Sequence, residues 1–442
     1  MGPPEQGTLP ASVADLSAYC FESPHSPDAL FFTAGQGLRL NDSKGDVYLD
    51  GLSGVFVTCF GYDCRPIVEA VTDQLGRLPF SPPLHGANQP AIALAQELLC
   101  LAPEGFASVK LVNGGSESVE AAVRIARYYH RERGHAGKYK ILSYYHSYHG
   151  STFGSLTVTG RPDTGRFGPG MHGVSHVWHP DSLETFLGVS PNEAGPIALT
   201  LIERTIQAEG PDSIAALVVE PVIHLLGMAV PPPDFLPGLR VLCDRYNITL
   251  IFDEIVTGFG RTGRAFAAQT YQAVPDIICM GKGLSGGYAP LAAVLIGERI
   301  APVLDTGDGT RSFAPSHTYA ANPVSAAAGL AAVRLYHELD VERRVADLAE
   351  HLGPRLREVI GDRGQVRGTG LLYGVRLTRP PSGAVVGPGL AVAQAALRRG
   401  LIIRGEDDWF VLAPAFVAQP DDLEELVETV GAALDEVFGG DR

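Results

Sequence analysis

Ile214-Ala-Ala-Leu-Val-Val-Glu220 is the first of three similar stretches that decide the fold, and the others are Ile248-Thr-Leu-Ile-Phe-Asp253 and Ile277-Ile-Cys-Met-Gly-Lys282. Each begins as a short apolar run rich in β-branched residues and stops at a charged residue. Continuous apolar runs bounded in this way are typical of strands buried on both faces, as in a parallel sheet. The sequence therefore predicts an α/β fold whose large domain has a mostly parallel central sheet between helices.

The charged residues that end these runs are candidates for one site. Ligands of parallel sheets bind at the carboxyl ends of the strands, so Glu220, Asp253 and Lys282 are expected to converge. A lysine between glycines after a buried strand loses hydration, which lowers its pKa and favours a nucleophilic neutral amine. A purely structural lysine is the alternative. A buried Asp253 needs a cationic partner, which is either a ligand or one of Arg261 and Arg264.

Two segments earlier in the chain could bind other parts of the same ligand. The strand Val109 to Val112 runs through Gly114 and Gly115 to Ser116 and into a helix, and a helix start of this kind leaves free N–H groups for a phosphate. A plain capped helix is the alternative. A second strand leads into the aromatic loop Tyr144 to Tyr148, which offers a ring face to a planar ligand. Together these groups match the phosphate, ring, ring nitrogen and aldehyde of pyridoxal phosphate.

Composition narrows the classes of function. The chain has 442 residues and 34 basic against 49 acidic side chains, a net charge of −15 that disfavours binding to nucleic acids or anionic membranes. Its six cysteines form no CxxC pair, so neither a zinc or other metal site nor a disulfide framework is expected. Secretory signals and membrane-spanning runs are not recognisable in the sequence. These features together predict a cytoplasmic location.

The secondary-structure pattern divides the chain into three parts. Residues 1–60 contain an N-terminal arm, with a short helix expected at Ser12 to Tyr19, and then a hairpin that ends at Asp50. Residues 61–325 are predicted to form the large domain, in which the stretch Arg161 to Glu209 is rich in loops until a final helix. Residues 326–442 are predicted to belong to a smaller α+β domain, with a boundary in the region of Thr318 to Leu335.

From about residue 31 onward, the chain resembles the class III (omega-type) aminotransferases, pyridoxal phosphate enzymes of fold type I. The resemblance rests on motifs that occur in the order and spacing of that family, namely Asn113-Gly-Gly-Ser-Glu-Ser-Val-Glu-Ala-Ala, Tyr148-His-Gly-Ser-Thr, Val219-Glu-Pro-Val, Phe252-Asp-Glu-Ile-Val-Thr-Gly-Phe-Gly-Arg-Thr-Gly, Pro275-Asp-Ile-Ile-Cys-Met-Gly-Lys-Gly and His317-Thr-Tyr-Ala-Ala-Asn-Pro. It implies a small domain built from both the N-terminal and C-terminal segments. It also implies an aminotransferase that transfers an amino group, often a terminal one, from an amine to a keto acid or aldehyde.

The resemblance implies a role for each site residue. Lys282 would be catalytic and form a Schiff base with the cofactor, while Asp253 would bind the pyridine nitrogen. The remaining contacts to the cofactor would come from Gly115, Ser116, Tyr148, His149, Glu220, Ile255 and Thr318. Thr318 would reach the phosphate of a neighbouring subunit, which implies a homodimer with its active site at the interface.

The substrate side of the site is predicted by the same resemblance. Phe56 and Leu84 fall where family members line the substrate pocket, and Arg404 matches an arginine that pairs with a substrate carboxylate. The acids that follow it, Glu406 to Asp408, could neutralise Arg404, attract a polyamine or amino sugar, or form a solvated turn.

Other activities remain open from the sequence. An epimerase or aminomutase of the same fold, possibly acting on an amino sugar, would keep the same site residues. Gly258-Phe-Gly-Arg-Thr-Gly263 also satisfies the G-x-G-x-x-G pattern of NAD(P) oxidoreductases. Two acids, Asp253 and Glu254, precede it and would repel a pyrophosphate, which disfavours that alternative.

Overall fold

The computed structural model describes residues 30–305, 313, 317–378 and 387–439. Within them the strands are β1 (Phe32–Gln36), β2 (Arg39–Asp42), β3 (Val47–Asp50), β4 (Phe106–Val112), β5 (Lys140–Tyr144), β6 (Val174–Val177), β7 (Ile214–Val219), β8 (Thr249–Asp253), β9 (Ile277–Met280), β10 (Ala292–Gly297), β11 (Gly364–Thr369), β12 (Leu372–Leu377), β13 (Leu401–Ile402), β14 (Arg404–Glu406) and β15 (Trp409–Leu412). The N-terminal helix predicted at Ser12 to Tyr19 lies outside the described residues.

Helices connect and cover these strands. The longer ones are Arg65–Arg77, Gln89–Leu101, Gly115–Glu132, Phe153–Val158, Pro180–Leu187, Pro191–Glu209, Phe235–Arg245, Pro323–Glu338, Val341–Ile360, Pro388–Leu397 and Pro420–Phe438, and single turns occur at Ser53–Phe56, Ala267–Thr270 and Ala301–Leu304. None of the helices in the described ranges is both long and apolar enough to cross a bilayer.

The central sheet has seven strands in the order β4-β10-β9-β8-β7-β5-β6. The pairs from β6 through β9 are parallel, whereas β10 runs antiparallel to both of its neighbours. Every residue of β7, β8 and β9 is buried, which explains why these strands are continuous apolar runs. The mostly parallel sheet predicted from the sequence is confirmed, and its strand order places the ends of β7, β8 and β9 side by side.

The helix Gly115–Glu132 shows how helices cover this sheet. Its residues Val119, Ala122, Val123 and Ala126 follow the spacing of one helical face, and all four are buried. They pack in one apolar cluster with Ile277 and other residues of the sheet. This packing fixes the start of the helix beside the carboxyl ends of the strands.

The smaller domain joins the two ends of the described chain. One sheet has the order β1-β2-β3-β13, in which β13 pairs in parallel with β3 through Leu401 opposite Leu49. A second, antiparallel sheet has the order β11-β12-β15-β14. The predicted construction of the small domain from N-terminal and C-terminal segments is therefore confirmed, while the exact boundaries at residues 60 and 325 stay a prediction.

The stretch Arg161 to Glu209 contains more regular structure than the sequence indicated. Strand β6 pairs in parallel with β5 at the edge of the central sheet, and the helix Pro180–Leu187 follows it. Three of the four residues of β6 are only partly buried, so the strand has no continuous apolar run to mark it. The final helix also begins at Pro191, before the start expected at Ile197.

Candidate active site

A cavity opens at the carboxyl ends of β7, β8 and β9. It is lined by eight of the nine residues predicted to be catalytic or to bind the cofactor, together with Gly150, His224 and Val256; the eight are Gly115, Ser116, Tyr148, His149, Glu220, Asp253, Ile255 and Lys282. The ninth, Thr318, lies on an exposed turn before the helix Pro323–Glu338. The order of the strands explains the convergence, because Glu220, Asp253 and Lys282 follow or end three adjacent strands.

Lys282 follows β9 in an unusual backbone conformation. Its φ of 47° lies in the left-handed region, which costs a non-glycine residue roughly 1–3 kcal/mol and is concentrated at functional sites. Burial lowers the pKa of Lys282, the charges of Asp253 and Glu220 act in the opposite direction, and Arg404 lowers it further. The lysine is therefore neutral, and nucleophilic, at lower pH than an ordinary lysine.

Asp253 is held by a histidine rather than by an arginine. Its Oδ2 lies 2.7 Å from Nδ1 of His149, and its Oδ1 accepts the N–H of Ile255 at 3.2 Å. Both side chains are almost fully buried. Arg261 instead donates to the carbonyl oxygens of residues 413 and 414, and Arg264 pairs with a glutamate, so the alternative ion pairs are wrong.

Glu220 connects the aromatic loop to a second histidine. Its Oε1 accepts the N–H of Tyr148 at 2.8 Å, and its Oε2 lies 2.8 Å from Nδ1 of His224. Burial raises the pKa of Glu220, but His224, His149 and the Tyr148 N–H outweigh that effect and leave the pKa below its usual value. Glu220 is therefore a buried carboxylate that fixes the loop beside the cavity.

The start of the helix Gly115–Glu132 forms the opposite side of the cavity. Ser116 Oγ accepts the N–H of Ser151 at 3.0 Å. A Cβ atom at Gly150, which has a φ of +127°, would lie 2.5 Å from Ser116 Oγ. A Cβ atom at Gly115 would lie 2.6 Å from Cδ1 of Ile255. Both glycines are thus required for close packing around an exposed helix N-terminus, which attracts anions.

These groups fit pyridoxal phosphate. A helix N-terminus suits its phosphate, a buried carboxylate suits its protonated ring nitrogen, and an amine with a lowered pKa suits its aldehyde. The ring of Tyr148, 37% exposed, offers a flat face at the cavity wall. In addition, Nε2 of His149 is buried with no hydrogen-bond partner in the described part of the chain. Among the described residues, no cluster of three His, Cys, Asp or Glu side chains could hold a metal ion.

The predicted substrate residues lie outside this cavity wall. Phe56 is 1% exposed and packs edge-on against His224, with ring centroids 5.7 Å apart. Leu84 is 84% exposed on the described chain. Arg404 forms an ion pair with Glu406 and lies over the ring of Trp409, 5.9 Å from its centroid. The structure therefore places Phe56 beside the cavity, Leu84 on the surface and Arg404 in contact with an internal acid.

The acidic segment after Arg404 has three different environments. Glu406 belongs to β14 and pairs with Arg404, while Asp408 lies 3.5 Å from Arg376. Asp407 is exposed at the turn between β14 and β15. Only one of the three acids thus contacts Arg404, and the expectation of a solvated acidic turn holds for Asp407 alone.

Sequence reasoning missed His224. It lines the cavity and pairs with Glu220, four residues before it. The sequence signal that could have identified His224 is its position four residues after Glu220, the acid that follows a central strand.

The G-x-G-x-x-G segment does not form a dinucleotide site. The helix Ala267–Thr270 follows it, and the N–H groups of Ala267 and Ala268 already donate to the carboxylate of Glu254 at 2.6 and 2.9 Å. A pyrophosphate needs these groups free. Burial raises the pKa of Glu254 to about 7, and the backbone donors counteract this.

Comparisons with known proteins agree with this geometry. The family described as Aminotransferase class-III matches residues 21–434. The omega-aminotransferase of Caulobacter vibrioides is 33% identical over 439 residues, which cover 96% of this chain and 98% of that protein. The putrescine–pyruvate aminotransferase of Pseudomonas aeruginosa is 30% identical over 92% of this chain and 91% of its own length.

Solved structures give the same result. The structure of an amine transaminase from an uncultivated Pseudomonas species, in its pyridoxal phosphate-bound form, superposes with a TM-score of 0.88 at 30% identity and covers 93% of this chain and 96% of that one. The epimerase, aminomutase and oxidoreductase alternatives gain no support from these relatives. The chain belongs to the class III aminotransferases and is a pyridoxal phosphate-dependent aminotransferase of fold type I.

Proposed function

We propose that this enzyme transfers a terminal amino group from an amine donor to a keto acid or aldehyde, with Lys282 as the residue that binds the cofactor covalently. One observation carries the proposal: Lys282, with its lowered pKa, lines the same cavity as the Asp253–His149 pair and the start of the helix Gly115–Glu132. The terminal amine is supported by the relatives, which include an omega-aminotransferase and an enzyme named for putrescine.

Each side chain then has a defined task. When bound, pyridoxal phosphate supplies an aldehyde that reacts with amines and a ring that withdraws electrons from the substrate carbon. Lys282 removes and returns the proton at its Nζ. Asp253, oriented by His149, binds the ring nitrogen. Tyr148 and Ile255, which line the same cavity, would contact the ring.

The remaining polar groups hold the phosphate and the loop. The N–H groups of Gly115 and Ser116 bind the phosphate, because a helix N-terminus carries free donors and partial positive charge. Glu220 holds the backbone of Tyr148, so the aromatic loop keeps its place when substrates enter.

We also propose a homodimer. Thr318 and Leu84 are both exposed on the single chain, although the family resemblance assigns them to the phosphate and substrate sites. Residues contributed to a neighbouring subunit would have this exposure. Light scattering after size-exclusion chromatography should give about twice the chain mass of 46.9 kDa. A monomer that retains full activity would contradict the shared site.

We also propose that the enzyme is located in the cytoplasm. The five cysteines within the described ranges, Cys59, Cys64, Cys100, Cys243 and Cys279, are all unpaired, which suits a reducing compartment.

Arg404 is proposed to bind the carboxylate of the acceptor. The positive charge of Arg404 lies close enough to Lys282 to lower the pKa of that lysine, which supports a position for Arg404 at the edge of the site. A keto acid must then compete with Glu406 for the guanidinium group. Arg404→Ala should therefore raise the KM for pyruvate and 2-oxoglutarate more than the KM for an aldehyde acceptor. Unchanged keto acid kinetics in this variant would contradict the role.

Borohydride reduction tests the central assignment. The purified protein loaded with pyridoxal phosphate is reduced and digested, and the modified peptide is identified by mass spectrometry. We expect the label on Lys282 and not on Lys44, an exposed lysine that serves as an internal control. A label on any other lysine would contradict the proposal. A screen of terminal amines with pyruvate and 2-oxoglutarate then defines the donor class.

A further inference from the structure

His224 is a polar residue of the cavity wall with no task in the scheme above. It is 4% exposed, and its Nδ1 lies 2.8 Å from Oε2 of Glu220. Its ring packs edge-on against two others, Tyr148 at 6.1 Å and Phe56 at 5.7 Å between centroids. Three contacts therefore fix the orientation of one imidazole inside the cavity wall.

The contact with Glu220 determines which nitrogen carries the proton. A carboxylate only accepts hydrogen bonds, so Nδ1 of His224 must be the donor. In a neutral imidazole the other nitrogen, Nε2, is then an acceptor. No hydrogen bond to Nε2 is found in the described ranges, and this nitrogen is not among the buried atoms without a partner. The neutral form of His224 thus offers an oriented acceptor in the wall of the cavity.

The neighbours of His224 place it on the substrate side. Tyr148 is the residue proposed to cover the cofactor ring, and Phe56 is a residue proposed to line the substrate pocket. His224 touches both. Phe56 belongs to a buried apolar cluster that includes Val222, Leu225 and Val256, and of these Val256 also lines the cavity. Nε2 is therefore a polar atom beside apolar side chains that would otherwise favour an alkyl group.

We propose that His224 is a specificity-determining residue that accepts a hydrogen bond from a hydroxyl or second amino group on the amine donor. This inference rests on the proposed function and names its substrate class: terminal amines that carry a further hydrogen-bond donor. A bound amine that covers Nε2 without donating a hydrogen bond to it leaves this acceptor without a partner, which is costly, so a purely alkyl amine of the same shape is disfavoured.

Matched pairs of donors test this preference in the unmodified enzyme. Amino alcohols from 3-aminopropan-1-ol to 5-aminopentan-1-ol are each compared with the alkylamine in which a methyl group replaces the hydroxyl, and 1,4-diaminobutane is compared with pentylamine. At the best chain length we expect kcat/KM to be about tenfold higher for the polar member. A ratio of one or less for every pair would overturn the proposal.

Two variants assign the preference to His224. His224→Phe keeps a ring of similar size without an acceptor, and its polar-to-alkyl ratio should fall about tenfold. His224→Gln keeps an amide oxygen, and its ratio should fall less. Equal ratios in the enzyme and in His224→Phe would overturn the assignment. If His224→Phe fails to fold or to bind the cofactor, as read from its absorbance, an undiminished ratio in His224→Gln would overturn the assignment.

Failure of the proposed function would look different. In that case borohydride would not label Lys282, and neither member of any donor pair would react.

Discussion

The cofactor end of the cavity and the rim around Arg404 are built in different ways. At the cofactor end, Asp253 and Glu220 are buried, each is bonded to a histidine, and each follows or ends a central strand. At the rim, Arg404 and Glu406 lie two residues apart on one short strand, with side chains 28% and 38% exposed. Buried charged hydrogen bonds are strong, whereas exposed ion pairs contribute about 0–1 kcal/mol. The first region is therefore rigid, as the proposed cofactor site requires, and the second can exchange partners.

Lys282→Ala is the strongest test of the fixed region. On the proposed assignment this variant lacks both the general base and the covalent link to the cofactor, so we expect kcat to fall at least about 10²–10⁴-fold. Initial rates with saturating cofactor measure this loss. Lys44→Ala, at an exposed turn, is the matched control and should behave like the parent enzyme.

Asp253→Asn tests whether the charge at the end of β8 matters. The amide keeps the shape but cannot stabilise a protonated ring nitrogen, so kcat should fall about 10²-fold with little change in KM. A double-mutant cycle with His149→Asn measures the coupling of the pair, because the two residues share one hydrogen bond. Asp234→Asn, at an exposed position, controls for the loss of a carboxylate. Additive effects at Asp253 and His149 would mean that the histidine does not orient the acid.

Glu254→Gln separates stability from catalysis within the same region. Burial raises the pKa of Glu254 to about 7 from 4.5, so between those pH values the folded state binds more protons than the unfolded state. The stability contributed by this group is therefore present at low pH and lost as the pH rises through this window. The free energy of unfolding, measured with urea, should be lower at pH 7.5 than at pH 5 in the parent enzyme. In Glu254→Gln this loss should be smaller by roughly 1–3 kcal/mol. Equal losses would contradict the raised pKa.

Glu406→Gln tests the exchangeable rim and should have the smallest effect. Releasing Arg404 from its internal acid should lower the KM for 2-oxoglutarate about 2–5-fold, since the pair is partly exposed to solvent. Asp407→Asn removes the same charge from the neighbouring exposed position and is the matched control. A similar decrease in both variants would indicate a general charge effect instead of competition for Arg404.

The sequence predicted the fixed region far better than the rim. Strands β7 and β9 match the apolar runs from which they were predicted, because burial on both faces leaves a local pattern. Lys282 and Asp253 could be located because they interrupt such runs. The partner of Asp253 could not be located, since His149 becomes its neighbour only through packing. For Arg404 the sequence offered three nearby acids but could not tell which of them pairs with it, and the structure selects Glu406.

The parallel pairing of β13 with β3 has a consequence for biosynthesis. Strand β3 leaves the ribosome before the strands of the central sheet, yet its partner β13, through Leu401 opposite Leu49, follows all of them in the chain. Contacts of such high sequence separation form late in folding. Until then the free edge of β3 can pair with strands of other nascent chains. Chaperone demand during synthesis should thus depend on the emergence of β13, although the last strand of the central sheet is synthesised about a hundred residues earlier.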